Sequence, residues 1–140
     1  MTDLVAWLRN QLDEDERVAN SATSGPWDNN DPMTRDAVRA PAVDNWVADC
    51  RYEQMGPFAV DNATHIARWH PPRALAEVEA ARRILDLHEI RRVTDEFEGK
   101  IRPEPIVWCD SCDEPTWCPT LRLLALPYAD QPGYREEWKP

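Results

Sequence analysis

Three of the four cysteines in the chain lie in the stretch WCDSCDEPTWCPTLRLL, Trp108 to Leu124, with the spacing C-x2-C-x5-C. Thiolates are soft, strong ligands, and two cysteines separated by two residues let one tight turn aim both sulfurs at a single zinc ion. Cys109 and Cys112 have that separation. Cys118 stands directly before Pro119, at a predicted helix start, where free backbone N–H groups stabilise a thiolate. A structural zinc takes four donors, so one is missing. His88 is the expected fourth. It ends the apolar stripe of the longest predicted helix, and the chain between it and Cys109 is long enough to return to that helix end. His88, Cys109, Cys112 and Cys118 are therefore expected to form a closed tetrahedral Cys3His site for a structural Zn2+. Three thiolates and one imidazole fill every position and leave the ion a poor Lewis acid, which favours a structural role over a catalytic one.

The remaining candidates fit less well. Cys50 falls on the apolar face of a predicted strand, beside Trp46, and reads as a buried inert thiol. His65 and His70 precede the long helix and would need its far end to fold back. The run Ile106-Val-Trp-Cys-Asp-Ser-Cys112 has the outline of a thioredoxin-like strand-to-helix redox site. Only residues 113–140 follow it, too few for the rest of such a fold, and Pro115 would interrupt the required helix. No G-x-S-x-G, phosphate-binding glycine loop or H-E-x-x-H occurs, and four glycines cannot supply a phosphate cradle.

Composition narrows the partners. The 140 residues include 26 acidic and 16 basic side chains, a formal charge of −10. That balance disfavours a large nucleic-acid face, which needs clustered lysine and arginine, and disfavours an anionic membrane surface. Arg68, Arg73, Arg82, Arg83, Arg91 and Arg92 are the one basic concentration, diluted by Glu77, Glu79, Asp86 and Glu89. The acidic surface suits a protein partner instead. There is no secretory leader pattern and no run of 18 apolar residues, so a cytoplasmic location is expected. There, closely spaced cysteines bind metal more often than they form disulfides. The expected function is a non-enzymatic, zinc-stabilised interaction or regulatory module. The alternatives are a nucleic-acid-binding zinc-knuckle protein and a small zinc-dependent hydrolase.

The elements that must position the site follow from periodicity. Leu4, Trp7, Leu8 and Leu12 set a helix over 3–20, with Thr2 as N-cap, Asp3 in its first turn and Asp13 to Glu16 on a solvated face. Two strands, 36–43 and 46–53, flank an Asp44-Asn45 turn. In the second, Trp46, Ala48, Cys50 and Tyr52 share a face. Asp61 or Asn62 caps a short helix over 63–69. The His70-Pro71-Pro72 break starts a long helix over 72–92, with the stripe Leu75, Val78, Ala81, Leu85 and His88. Residues 93–105, with Gly99, Pro103 and Pro105, read as a loop, 106–108 as a short strand. The last helix starts at Pro119, carries Leu121, Leu124 and Tyr128, and is kinked or stopped at Pro127. The expected fold is α+β in a single domain: a helix plus antiparallel sheet over 1–60, then helices plus the zinc knuckle over 61–140.

The segments LVAWLRNQLDEDERVANSATSGPW, HIARWHPPRALAEVEAARRILDLH and CPTLRLLALPYADQPGYREEW resemble an uncharacterised family of small proteins of actinobacteria, such as Streptomyces, and of their phages. That family has Pro-Gly-Pro-Trp where this chain has Ser24-Gly-Pro-Trp27. The Gly-Pro-Trp turn, followed by the Ala63-x-x-Ile66-Ala67 helix, is similar to a pattern of phage early-region proteins. The resemblance implies a phage or actinobacterial source and fits one site made of His88 and the cysteines. It implies no activity. Gly25-Pro26-Trp27 reads as a rigid turn presenting a tryptophan to the core, with ligand stacking by Trp27 as the alternative.

Overall fold

A computed structural model describes residues 4–51, 57–93, 96–97, 100–101, 106–113 and 118–140, with side chains described for all of these except 91–93, 96–97, 100–101 and 106–107. Thr2, Asp3, Tyr52, Glu53, Gly99, Pro103, Pro105 and Pro115, to which sequence roles were assigned above, lie outside the described residues. The architecture is α+β, as expected. Its helices are α1 (Leu4–Ser21), α2 (Ala59–Arg68), α3 (Pro71–Leu87) and α4 (Pro119–Ala125). Its strands are β1 (Ala37–Ala40), β2 (Asn45–Asp49), β3 (Ile90–Val93), β4 (Glu96–Phe97), β5 (Lys100–Ile101) and β6 (Ile106–Cys109). The described strands pair as three antiparallel two-stranded sheets, β1–β2, β3–β6 and β4–β5.

Two compact units divide the chain: Met1–Leu12 with Ala80–Pro140, and Asp13–Glu79. The second unit is organised by the β1–β2 hairpin. Its buried centre is Val38, Cys50, Ala63 and Ala67, with Trp27, Val47, Ala48, Ala59 and Ile66 packed on it. The expected hairpin is present, but its connection is a single turn of 3-10 helix, Pro41–Val43, closed by Asp44 in the left-handed region at φ 49°. Proline fixes a helical φ at the start of such a turn, and aspartate tolerates the left-handed conformation better than most residues. The expected face of β2 is not formed. Val38 pairs with Ala48 and Arg39 with Trp46, which leaves Val47 as a bulge residue. The bulge breaks strict alternation. Val47 and Ala48 both reach the core, whereas Trp46 stays 49% exposed beneath the guanidinium groups of Arg39 and Arg51, 5.0 and 5.8 Å from its ring centre. Cys50 is buried as expected, without Trp46 beside it in the core.

Other boundaries shift. α2 begins at Ala59, so Asp61 stands inside its first turn, where a carboxylate favours the positive helix end, rather than capping it. His70 precedes Pro71 at the start of α3, and its Nδ1 accepts from the Arg73 backbone N–H at 3.3 Å, as an N-cap side chain would. Trp27 is half-buried on the core and donates its indole N–H to the Thr23 carbonyl at 2.8 Å, so the Gly-Pro-Trp turn has the packing role. A Cβ on Gly25 would fall 2.6 Å from Pro72 Cδ, which ties the glycine of one motif to the double proline of the other.

In the first unit, Leu4, Trp7, Leu8, Leu12, Leu85, Cys109, Cys118, Leu121, Ala125 and Trp138 are buried. Trp7 meets Tyr134 and Trp138 at ring distances of 5.7 and 5.2 Å and donates to the Pro132 carbonyl at 3.1 Å. After α4, Pro127 lies in a 3-10 turn, Leu126–Tyr128, that tightens the helix end. The tail adds a turn at Glu136–Trp138, where Arg122 donates to the carbonyls of Glu137, Trp138 and Lys139. The carbonyls left over at that turn's end are thereby satisfied.

Candidate metal centre

Three segments of the first unit deliver the donor atoms. α3 ends at Leu87, five residues short of the expected boundary, and His88 follows it directly. The His88 backbone N–H still bonds to the carbonyls of Ile84 and Leu85, at 3.2 and 3.1 Å, so the ring keeps its place on the helical stripe. The chain then turns into β3 instead of a loop. Ile90 and Val93 suit a strand, and Ile106 and Val107 offer a β-branched partner. The register pairs Ile90 with Cys109 and Val93 with Ile106. That pairing sets Cys109 across from the residues immediately after His88.

Cys109 to Asp113 form the knuckle. The Asp113 N–H bonds to the Cys109 carbonyl at 2.9 Å, and Asp113 adopts a left-handed φ of 55°. The Ser111 hydroxyl donates to the Leu87 carbonyl, clamping the knuckle to the end of α3 beside His88. The third segment is the start of α4, where Cys118 is the residue before Pro119.

His88 Nδ1 lies 3.6 Å from the Cys109 sulfur, 3.3 Å from Cys112 and 3.4 Å from Cys118. All four donor atoms fall within 4.8 Å of one another, so the residues form a compact possible metal-binding site. A tetrahedral ion with Zn–S near 2.3 Å and Zn–N near 2.0–2.1 Å requires N···S edges of about 3.6 Å and S···S edges of about 3.8 Å. The nitrogen–sulfur separations match those edges. The Cys112 and Cys118 sulfurs, 3.0 Å apart, must separate by roughly 0.8 Å to reach a tetrahedral edge. The four cysteines are free thiols. Cys50, His65 and His70 lie in the other unit and contribute nothing to the cluster.

The thiols polarise one another. Cys112 is pushed up to about 11, first by its hydrogen bond to Cys118 and then by burial. For Cys118 burial opposes ionisation, but the hydrogen bond from Cys112 and the Leu121 and Thr120 N–H groups outweigh it and lower its pKa. Those N–H groups help although the geometry is not that of an ideal side-chain cap. Of these two thiols Cys118 ionises the more readily, as its place at the start of α4 predicts. The set is three soft sulfurs and one imidazole, without a carboxylate donor, the chemistry of a closed zinc site. Beside it, a cavity of about 330 Å³ lined by Val5, Arg9, Leu85, Asp86, Glu89 and Ile90 borders His88.

Sequence reasoning missed the β3–β6 pairing that brings His88 and Cys109 together, and it missed Ser111. The β-branched residues at 90, 93, 106 and 107 were the available signal for the first, while a lone serine carries none for the second.

The chain belongs to a family of unknown function (DUF6221), which matches it over residues 1–140. No curated protein and no solved structure matches it. No helix among the described residues is long and apolar enough to cross a membrane.

Proposed function

We propose that this family member is a non-enzymatic, zinc-stabilised interaction or regulatory module, in which Zn2+ bound by His88, Cys109, Cys112 and Cys118 staples α3, the knuckle and α4. The observation that carries this reading is the convergence of one nitrogen and three sulfurs, from three separate segments, within 4.8 Å. Cys109 and Cys118 are fully buried, so a closed shell suits the site better than one holding a reactive water. Four free thiols suit a reducing compartment such as the bacterial cytosol. The net charge of −10 favours a basic or protein partner over nucleic acid. The resemblance of its three segments supports an actinobacterial or phage source.

Elemental mass spectrometry of chain purified without added metal tests the site, with Cys112→Ser and His88→Ala alongside. About one zinc per chain in the wild type, lost in both variants, is the expected result. A metal-free wild type with titratable thiols, unable to take up zinc, refutes it.

A further inference from the structure

We infer that Cys112 is an oxidative modification site: hydrogen peroxide oxidises its sulfur, Cys118 captures the product as a disulfide, and the metal is released. The inference rests on the metal reading above and adds a reaction to it.

Two observations single out this pair. The first is access. Cys109 and Cys118 are fully buried, whereas Cys112, on the knuckle turn, is half-buried and reachable by a small oxidant. The second is proximity. The Cys112 and Cys118 sulfurs are 3.0 Å apart, closer than any of the sulfur–nitrogen separations in the cluster. A disulfide bond is about 2.05 Å long, so the sulfurs have roughly 1 Å to travel from this separation and roughly 1.8 Å from the tetrahedral edge of a loaded site. An accessible sulfur with a second one poised beside it places an oxidisable cysteine next to a resolving partner. Cys50 cannot compete, because it is buried in the other unit.

The reaction balances in two steps. The Cys112 sulfur attacks one peroxide oxygen; an S–O bond forms, the O–O bond breaks, and the departing hydroxide takes a proton to become water. The Cys118 sulfur then attacks the Cys112 sulfur; the S–S bond forms, the S–O bond breaks, and a second water leaves after protonation. Two electrons pass from the two sulfurs to the peroxide, and the ion stays divalent throughout. Two donors, His88 and Cys109, then remain, half the number a structural zinc needs.

The test treats zinc-loaded full-length chain with hydrogen peroxide, follows release with a chromogenic zinc chelator, and maps peptides without reduction by mass spectrometry. We expect one zinc released per chain, a Cys112–Cys118 cross-linked peptide, and recovery of the loaded form with dithiothreitol and Zn2+. A Cys50→Ser chain should behave identically. Zinc retained in excess peroxide overturns the inference. So does release with Cys109–Cys112 as the main disulfide, or with Cys112 carried to the sulfinic acid and no cross-link. A chain that takes up no zinc before peroxide is added overturns the metal reading, and the release with it. The two failures are therefore distinguishable.

Discussion

Asp49 and Arg51 show what one exposed pair does and how it can be measured. The Arg51 guanidinium donates to the Asp49 carboxylate at 2.8 and 2.5 Å, and the Arg51 backbone N–H adds a third bond at 3.0 Å. These bonds, the side-chain ones first, hold the carboxyl down to about 2 against a small opposing effect of desolvation. The folded value lies below the unfolded one. Whatever stability the pair contributes is therefore present above the unfolded carboxylate range and is lost as pH falls toward 2. Both side chains are solvated, so that contribution is small. The sharper readout is the titration itself: the Asp49 carboxyl carbon should show an NMR midpoint near 2, moving upward in Arg51→Gln. An ordinary midpoint in the wild type would contradict the pairing. At this scale the cysteine cluster was legible because its chemistry is local to its spacing, and His88 because it ends the apolar stripe of a helix. Trp46 was misplaced because a bulge at Val47, one residue away, decides which face it takes.

The crossing of the Gly25 turn with the start of α3 has its own test. A methyl on Gly25 would meet Pro72 Cδ at 2.6 Å, and a proline ring cannot swing aside as a flexible side chain would. Gly25→Ala is expected to destabilise the protein by about 1–3 kcal/mol, as overpacking does, measured by urea denaturation. A loss below about 0.5 kcal/mol, the range of neutral surface changes, would show that the turn relaxes freely. Helix existence was readable throughout, since apolar residues at three and four apart mark α1, α3 and α4. The end of α3 was not. Its helical stripe continues through His88, and the chain leaves the helix only because a strand partner, Ile106–Cys109, is supplied from further along. Periodicity within one segment contains no information about such a partner.

For the molecule, the proposed zinc staple predicts that metal removal acts on stability before anything else. A structural zinc supplies roughly 10–16 kcal/mol of apparent binding energy, against a net stability of about 5–15 kcal/mol for a typical domain. Chelator treatment should therefore lower Tm steeply and shift tryptophan emission to the red as buried Trp7 and Trp138 become solvated. Zinc restores both if the thiols are kept reduced. An unchanged Tm after complete zinc removal would reduce the ion to a surface ligand. Charge belongs to this scale as well. A formal charge of −10 shapes which partners approach, but it leaves the fold unspecified.

Residue type, spacing and apolar periodicity pointed to the candidate donors His88, Cys109, Cys112 and Cys118, to the α+β class and to the burial of Cys50, because ligand chemistry and periodicity are properties of nearby residues. Tertiary structure alone decided where α3 stops, that β3 and β6 pair, that Val47 bulges and that Trp138 closes a core with Trp7. Each of these depends on contacts between residues distant in the chain, where strand partners and packing surfaces outweigh local preference.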